Sequence, residues 1–408
     1  MRLNLLISCL LHLITTAKLY AGIADTTQIP ILAWGGVPPH EAGIARYEEM
    51  KNAGLTVSLT RSTSIDSMAM MLDMAAKAGV QLIVRCPELQ TDPENTVKRF
   101  MNHPATAGYF LKDEPSASEF EALGIWAGRI RAIDSQRFSY LNLLPNYAVP
   151  AQLGTASYQQ HVSVYLKSVP VPFLSFDHYP VIEDNGQRSL RKEWFENLEI
   201  IAGESKKANK PFWAFALSVA HGNYPVPTLG ELRLQVFANL AYGAQGIQYF
   251  TYWTPKNKSQ YNYHHGPIDD DNKRTDVYEM ISTVNREIQN LSGVFLSAKV
   301  ISVAHIGKNI PVGTQRLPKL PEGIKKISIQ GEGAIVSVLE KGNDRFIVIV
   351  NKDFVNPMKL KIKSNSTLEK VSKNGTILNT HKHSSSVAIG AGDIAVYRLN
   401  HINESSLK

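Results

Sequence analysis

The 408-residue sequence contains only two cysteines. Cys9 falls inside an apolar N-terminal stretch, which leaves Cys86 without a disulfide partner, and no Cys/His spacing of the zinc-binding kind exists. A disulfide-stapled scaffold is therefore excluded, and stability must come from a buried core. Beyond the first two dozen residues no apolar run reaches transmembrane length. No glycine-rich phosphate fingerprint follows the first strand-like run, where Gly35-Gly36 stands alone. No nucleophile elbow of the G-x-S-x-G kind occurs, and there is no internal repeat or low-complexity tract beyond a strand–helix alternation. Charged residues are 19% against 44% hydrophobic, which excludes a largely disordered chain.

The net charge of +7 is unevenly spread. Residues 294–408 carry +9, the first 24 residues +2, and the middle of the chain −4. The basic segment has only Phe295, Phe346, Phe354 and Tyr397 as aromatics and no nucleic-acid motif, so nucleic acid is not an expected partner. The N-terminus reads Met1-Arg2, then an apolar stretch from Leu3 to Thr15, then small residues at Ala21 and Ala24. That pattern predicts a secretory leader over 1–24 and an exported protein, in the periplasm, at the cell surface or outside the cell. A lipoprotein-like Leu6-Ile-Ser-Cys9 is preceded by too short an apolar run to serve as a signal core.

From about residue 28 a strand-then-helix pattern repeats eight times. The strand-like runs are Ile29–Trp34, Leu55–Thr60, Gln81–Cys86, Ala107–Lys112, Phe138–Asn142, Phe173–Phe176, Pro211–Leu217 and Gly246–Tyr252. Helical spacing of apolar residues marks Ala42–Ala53, Ile65–Ala78 and Glu231–Tyr242. Capping boxes at Ser116-x-x-Glu119 and Thr228-x-x-Glu231 assign Glu119 and Glu231 to helix starts rather than to chemistry. Eight alternations in roughly 250 residues predict a (β/α)8 barrel over 25–293. Past Gly293 short β-branched runs take over, with turns at Gly342-Asn343 and Asn374-Gly375 and a loop over 309–323. This predicts an antiparallel β-sandwich over 294–408 that buttresses the barrel and stays out of its mouth.

Active sites of such barrels form at the C-terminal strand ends. Here those ends carry Trp34, Arg85, the pair Asp113-Glu114, Asn142, Asp177-His178-Tyr179 and Tyr252-Trp253. Aromatic planes beside acids and amides suit a sugar ring, whose C–H faces stack while its hydroxyls hydrogen-bond. Trp213, in mid-strand, is expected to fill core. Strand alternation separates Asp113 from Glu114, so one acid should face the pocket and the other should brace the strand. Glycoside hydrolysis needs two carboxyls flanking the scissile bond, about 5 Å apart for retention and about 6.5–9.5 Å for inversion. Glu114 is the candidate general acid and Asp177 the second carboxylate opposite it, with Glu88 the next choice. Trp34, Arg85, Asp113, Asn142, His178, Tyr179, Tyr252 and Trp253 are the candidate substrate-binding residues. His264-His265 with Asp269-Asp270-Asp271 lacks the Gly and Glu positions of a calcium loop, and 255–272 reads as a solvated loop. Neither a metal nor a cofactor is implied, and the oligomeric state is left open.

The segments Gly108-Tyr-Phe-Leu-Lys-Asp-Glu-Pro-Ser116, Phe176-Asp-His-Tyr-Pro180, Pro227-Thr through Glu231-Leu-Arg233, and Gly243 through Trp253 resemble the clan A glycoside hydrolases. Within the clan, the chain is similar to family 42 β-galactosidase-like barrels of secreted bacterial type. The resemblance covers roughly 28–292 and implies that Glu114 stands where the family keeps its acid/base, and that Trp253 lines a sugar subsite. It breaks at the seventh strand, where the family's nucleophilic glutamate belongs and this chain reads Trp213-Ala-Phe-Ala-Leu-Ser-Val-Ala220. The residue before Glu114 is Asp rather than the usual Asn. The expected function is a secreted glycoside hydrolase acting on an oligo- or polysaccharide. The alternatives are a non-catalytic carbohydrate-binding barrel and a lyase using His178 and Tyr179.

Overall fold

The computed structural model describes residues 27–256, 261–365, 367–379 and 383–399. The expected leader lies outside the described residues. Eight parallel strands run β1 (Ile31–Trp34), β2 (Val57–Leu59), β3 (Gln81–Val84), β4 (Thr106–Asp113), β5 (Phe138–Asn142) and β6 (Leu174–Phe176). After a small hairpin, β7 (Val181–Asp184) and β8 (Gln187–Leu190), come β9 (Phe212–Leu217) and β10 (Gly246–Phe250). Their order is β5-β4-β3-β2-β1-β10-β9-β6. A parallel bridge between Leu143 and Phe176 joins the two ends, so the sheet closes into the expected (β/α)8 barrel.

Period-2 alternation decides what each strand contributes. In β9, Trp213, Phe215 and Leu217 point into the barrel, while Phe212, Ala214 and Ala216 pack outward against the helices. Trp213 is core, as expected, and stacks on Phe173 with ring centroids 4.2 Å apart. Gly246 on the neighbouring strand makes room for it, because a Cβ there would stand 2.5 Å from the indole ring. The helices are closed by local chemistry. Ile65–Ala78 begins at Ser64, whose hydroxyl accepts from the Ser67 amide, and stops at Gly79 in the left-handed region. Thr228 and Glu231 form the expected reciprocal cap of Leu229–Ala241.

After the barrel, nine strands among the described residues form two antiparallel sheets. One runs β11 (Lys299–Gly307), β13 (Gly333–Lys341), β14 (Asp344–Asn351), β19 (Ile394–Leu399), β16 (Leu368–Val371), β17 (Ile377–Asn379). The other runs β12 (Ile324–Gln330), β15 (Met358–Ser364), β18 (Ser384–Ile389). An apolar layer that includes Val336, Ile347, Leu360 and Tyr397 fills the space between them. The β13–β14 hairpin turns at Gly342-Asn343, with Gly342 at φ +59°. The sandwich packs on helix Leu229–Ala241, where the Ser337 hydroxyl donates to the Ala241 carbonyl at 2.7 Å.

Candidate active site

At the C-terminal ends of the strands a cavity of about 580 Å³ opens, lined only by residues between Trp34 and Tyr263. Among the described residues no side chain of the β-sandwich lines it. Its polar side is Asp113 and Glu114 at the end of β4, Asn142 at the end of β5 and Asp177 just after β6. Beneath them runs a buried hydrogen-bond chain. The Gln248 amide donates to Ser175 Oγ at 2.9 Å, and Ser175 Oγ donates to Asn142 Oδ1 at 2.8 Å. Asn142 Nδ2 then donates to Asp177 Oδ1 at 2.8 Å and Asp113 Oδ1 at 3.3 Å. Asn142 is thereby oriented from below and ties two carboxyls together from above.

The alternation expected of Asp113 and Glu114 does not hold, and the cause is local. The pairing of β4 with β5 shifts register between Phe110 and Lys112, so Leu111 forms a bulge. A bulge re-aims the side chains after it. Leu111 packs outward, while Asp113 and then Glu114 both reach the cavity. Glu114 takes φ +46°, a left-handed conformation that favours glycine, while its amide donates to the Asn142 carbonyl at 2.9 Å. Lys112 turns away and pairs with Glu119 at 3.2 Å rather than with Glu114.

Nor do the two candidate acids stand across the pocket from one another. Glu114 and Asp177 are close enough to share a hydrogen bond. Partial desolvation in the barrel mouth pushes the Glu114 carboxyl up to about 7, with the Asp113 charge adding to the rise and the Asp177 bond opposing it. Burial raises Asp177 well above the carboxylate range, reinforced by the charges of Glu114 and Asp113 and opposed by the Asn142 amide. Asp113 is also raised by desolvation, against the pull of Asn142 and of Arg85. Three carboxyls in one field oppose simultaneous ionisation, so the cluster holds a proton at neutral pH.

The rest of the lining is largely aromatic. Trp34 and Tyr179 are joined there by Phe215 and Phe250 from β9 and β10 and by Tyr224 and Tyr263 from the loops above. The loops are tied to each other by a bridge between Ala220 and His264. Arg191 holds the rim: its guanidinium lies 4.7 Å from the Tyr147 ring centre and donates to the Tyr224 hydroxyl at 3.0 Å. A second cavity, of about 640 Å³, lies between helix Trp194–Ala208 and β11, far from these carboxyls.

Residues 149–291 match the glycoside hydrolase family 42 model, described as beta-galactosidase. Over that third of the chain the sequence is similar to family 42, a likeness that supports a glycosidase. Among solved structures, a beta-galactosidase from Bacillus circulans sp. alkalophilus is 8% identical, with 91% of this chain and 99% of the other covered and a TM-score of 0.59. One from the psychrophilic Marinomonas ef1 is 10% identical, with 90% and 100% covered and a TM-score of 0.58. A catalytic mutant of a family 42 beta-galactosidase from G. stearothermophilus is 9% identical, with 91% and 98% covered and a TM-score of 0.59. At such identities these likenesses speak for the fold. No curated protein matches the chain.

The glycosidase brings Trp34, Asp113, Glu114, Asn142, Asp177 and Tyr179 together at the cavity. Arg85 stands behind that wall, 4.2 Å from the Phe110 ring centre, where its charge favours ionised Asp113. Three expected binding residues lie elsewhere. His178 is 1% exposed and packs edge-on against Tyr147, and burial holds its pKa down at about 3. His178 thus does not line the cavity. Tyr252 and Trp253 pack outward with the helices, because β10 ends at Phe250 and the chain then crosses the mouth of β1. The Tyr252 amide bonds the Trp34 carbonyl at 3.0 Å, and Arg46 covers the Trp253 ring at 5.2 Å. Glu88 opens a short outer helix and does not line the cavity. The lining residues outside the candidate set are Tyr147, Phe215, His221, Gly222, Asn223, Tyr224, Phe250, Tyr261 and Tyr263. Only the inward parity of Phe215 in its strand could have signalled one of them. Asp269 accepts from the Asp271 and Lys273 amides within a turn, and His265 pairs with Asp276 at 2.8 Å. Among the described residues no cluster of His, Cys, Asp and Glu could hold a metal. No helix among them is long and apolar enough to cross a membrane.

Proposed function

We propose that this glycosidase hydrolyses an O-glycosidic bond by carboxyl chemistry, with Glu114 as the proton donor and Asp177 as the second carboxyl of the pair. The observation that carries the reading is the contact between these two carboxyls above Asn142, with Glu114 held near neutrality. A general acid works best with a pKa near the working pH. The aromatic wall supplies stacking planes for the sugar, and Asn142 and Asp113 supply polar partners for its hydroxyls. Glu114→Gln keeps the shape and removes the proton. It should cost about 10²–10⁴-fold on a substrate with a poor leaving group and far less on an activated aryl glycoside. Asp177→Asn should damage both substrates alike. Equal small losses for Glu114→Gln on both substrates would refute the acid assignment.

The non-catalytic alternative is favoured by one observation: β9 ends without an acid, and Ser218 Oγ donates to the Thr251 carbonyl at 2.9 Å. Glycan binding without turnover of any glycan would establish it. We also infer export, supported by the charge, apolar core and small residues of the first 24 positions. N-terminal sequencing of protein from its native host should find a start after Ala21 or Ala24. An intact Met1 on cytoplasmic protein would refute it.

A further inference from the structure

The smaller sheet of the sandwich, β12-β15-β18, contains five lysines and not one aspartate or glutamate. Period-2 alternation sorts its side chains. Ile327, Leu360, Ile362 and Val387 point inward to the sandwich core. The other parity points out. Lys359, Lys361 and Lys363 on β15 are exposed, and Lys326 on β12 stands directly opposite Lys363. Ser328 and Ser386 flank Lys361, while Gln330 and Ala388 flank Lys359. The result is a ladder of lysines with steps of about 6.8 Å along the central strand, set among small neutral side chains.

Neither edge protection nor charge balance accounts for this ladder. Lysines commonly guard the edge of a sheet against pairing with another chain. Here β12 and β18 are the edges, and three of the five lysines stand on the central strand. Like charges set directly opposite destabilise a strand pair, as Lys326 and Lys363 are set. The larger sheet of the same domain does the reverse, placing Glu340 opposite Arg345 and Glu369 opposite Arg398. Among the described residues none of the four outward lysines is in an ion pair. Acids around the small sheet are engaged elsewhere: Glu322 and Glu340 pair with Arg345, Glu369 pairs with Arg398, and Asp353 accepts amides of its own turn. A partner carrying repeated negative charge relieves the repulsion.

The chemistry of the face selects among polyanions. Single-stranded nucleic acid is held on aromatic planes and arginine as well as on positive charge. An anionic membrane is held through large apolar side chains set beside the basic ones. The outward positions of these strands hold no arginine, no aromatic and no large apolar residue. They offer serine hydroxyls and an amide between ammonium groups, which match the hydroxyls and charged groups of a sugar chain. We propose that the outer face of β12-β15-β18 docks a linear anionic polysaccharide, with its carboxylate or sulfate groups on Lys326, Lys359, Lys361 and Lys363. This goes beyond the glycosidase reading and is separate from the cavity: the sandwich tethers the protein to a charged glycan, whichever bond the barrel cleaves.

The test is calorimetric titration of the full chain with polygalacturonate and with dextran sulfate, beside neutral dextran, at low and at high salt. Both charged polymers should bind and neutral dextran should not. Binding should weaken steeply as salt rises and screens the lysines. Lys359→Gln/Lys361→Gln/Lys363→Gln should lower the affinity at least about tenfold, with the circular dichroism unchanged. The Lys→Arg triple at the same positions keeps the charge and should retain most of the binding. A matched triple on exposed positions of the barrel helices, Lys51→Gln/Lys77→Gln/Lys98→Gln, removes as much charge and should leave the affinity essentially unchanged. Equal losses from the two glutamine triples would reduce the effect to net charge and overturn the inference. Absence of binding to both charged polymers would overturn it as well. So would tighter binding to single-stranded DNA or to phosphatidylserine vesicles than to either polymer. None of these outcomes touches the glycosidase reading, which is tested on turnover.

Discussion

The two sides of the barrel mouth are built from different chemistry. The side formed by β4, β5 and β6 carries Asp113, Glu114, Asn142 and Asp177, set in register by strand ends and a buried amide chain. The side formed by β9 and β10 carries Phe215 and Phe250, extended by loop aromatics. Bond-breaking groups are thus fixed by the most rigid part of the fold, where small displacements matter most. Shape recognition is assigned to side chains whose contribution is broad and tolerant of small shifts. The absent acid at the end of β9 is not a local accident. Among the described residues β9, β10 and the loops after them bring no carboxyl to the cavity, so carboxyl chemistry falls to β4 and β6.

The sharpest way to break the comparison is to disturb Asn142, which is 2% exposed and bonds both Asp113 and Asp177. Asn142→Ala should lower kcat by about 10²-fold with the barrel still folded, as read by steady-state kinetics and circular dichroism. An unchanged kcat would mean that the carboxyls are positioned without it. Next in size is pH. With Glu114 required protonated and raised to about 7, kcat/KM should fall about tenfold per pH unit above that value. A raised carboxyl also contributes stability that is present below its unfolded value of about 4.5 and lost as pH climbs through 7. Glu114→Gln should therefore raise Tm more at pH 8 than at pH 5, by calorimetry. On the aromatic side Phe250→Ala should raise KM by about 2- to 12-fold with kcat largely kept, the scale of a lost ring contact. The smallest effect is expected outside the mouth. Trp253→Leu removes the ring under Arg46 and should lower Tm by a few degrees while leaving kcat/KM within about twofold.

The barrel was legible because its signal is repeated eight times and each strand obeys period-2 burial. Phe138–Asn142 and Ile65–Ala78 end where their apolar pattern ends. The sandwich was legible only where β-branched residues cluster. Strands such as Ile324–Gln330 and Ser384–Ile389 have one face in solvent and are written in lysine and serine, so they carry a weak signal. The position of Glu114 at a strand end could be read from the sequence. That it shares the cavity with Asp113 could not, because a one-residue register slip at Leu111 leaves no mark in residue identities. Trp253 misled for a related reason. A strand end can be read to within a few residues, and three residues beyond Phe250 the chain has already turned outward. The rim tyrosines come from loops whose approach depends on long-range pairing such as Ala220 with His264.

Glu114 is the candidate acid and also a non-glycine residue held at φ +46°. A side chain in that conformation costs on the order of 1 kcal/mol, which glycine would relieve. Selection for thermal robustness alone would push this position toward glycine, and each such step would yield a sturdier protein without its proton donor. Within this lineage the site therefore has an evolutionary exit one substitution long, which removes a side chain and relaxes a backbone at once. A copy freed from its reaction could drift through it into a durable sugar-binding barrel with the same aromatic wall.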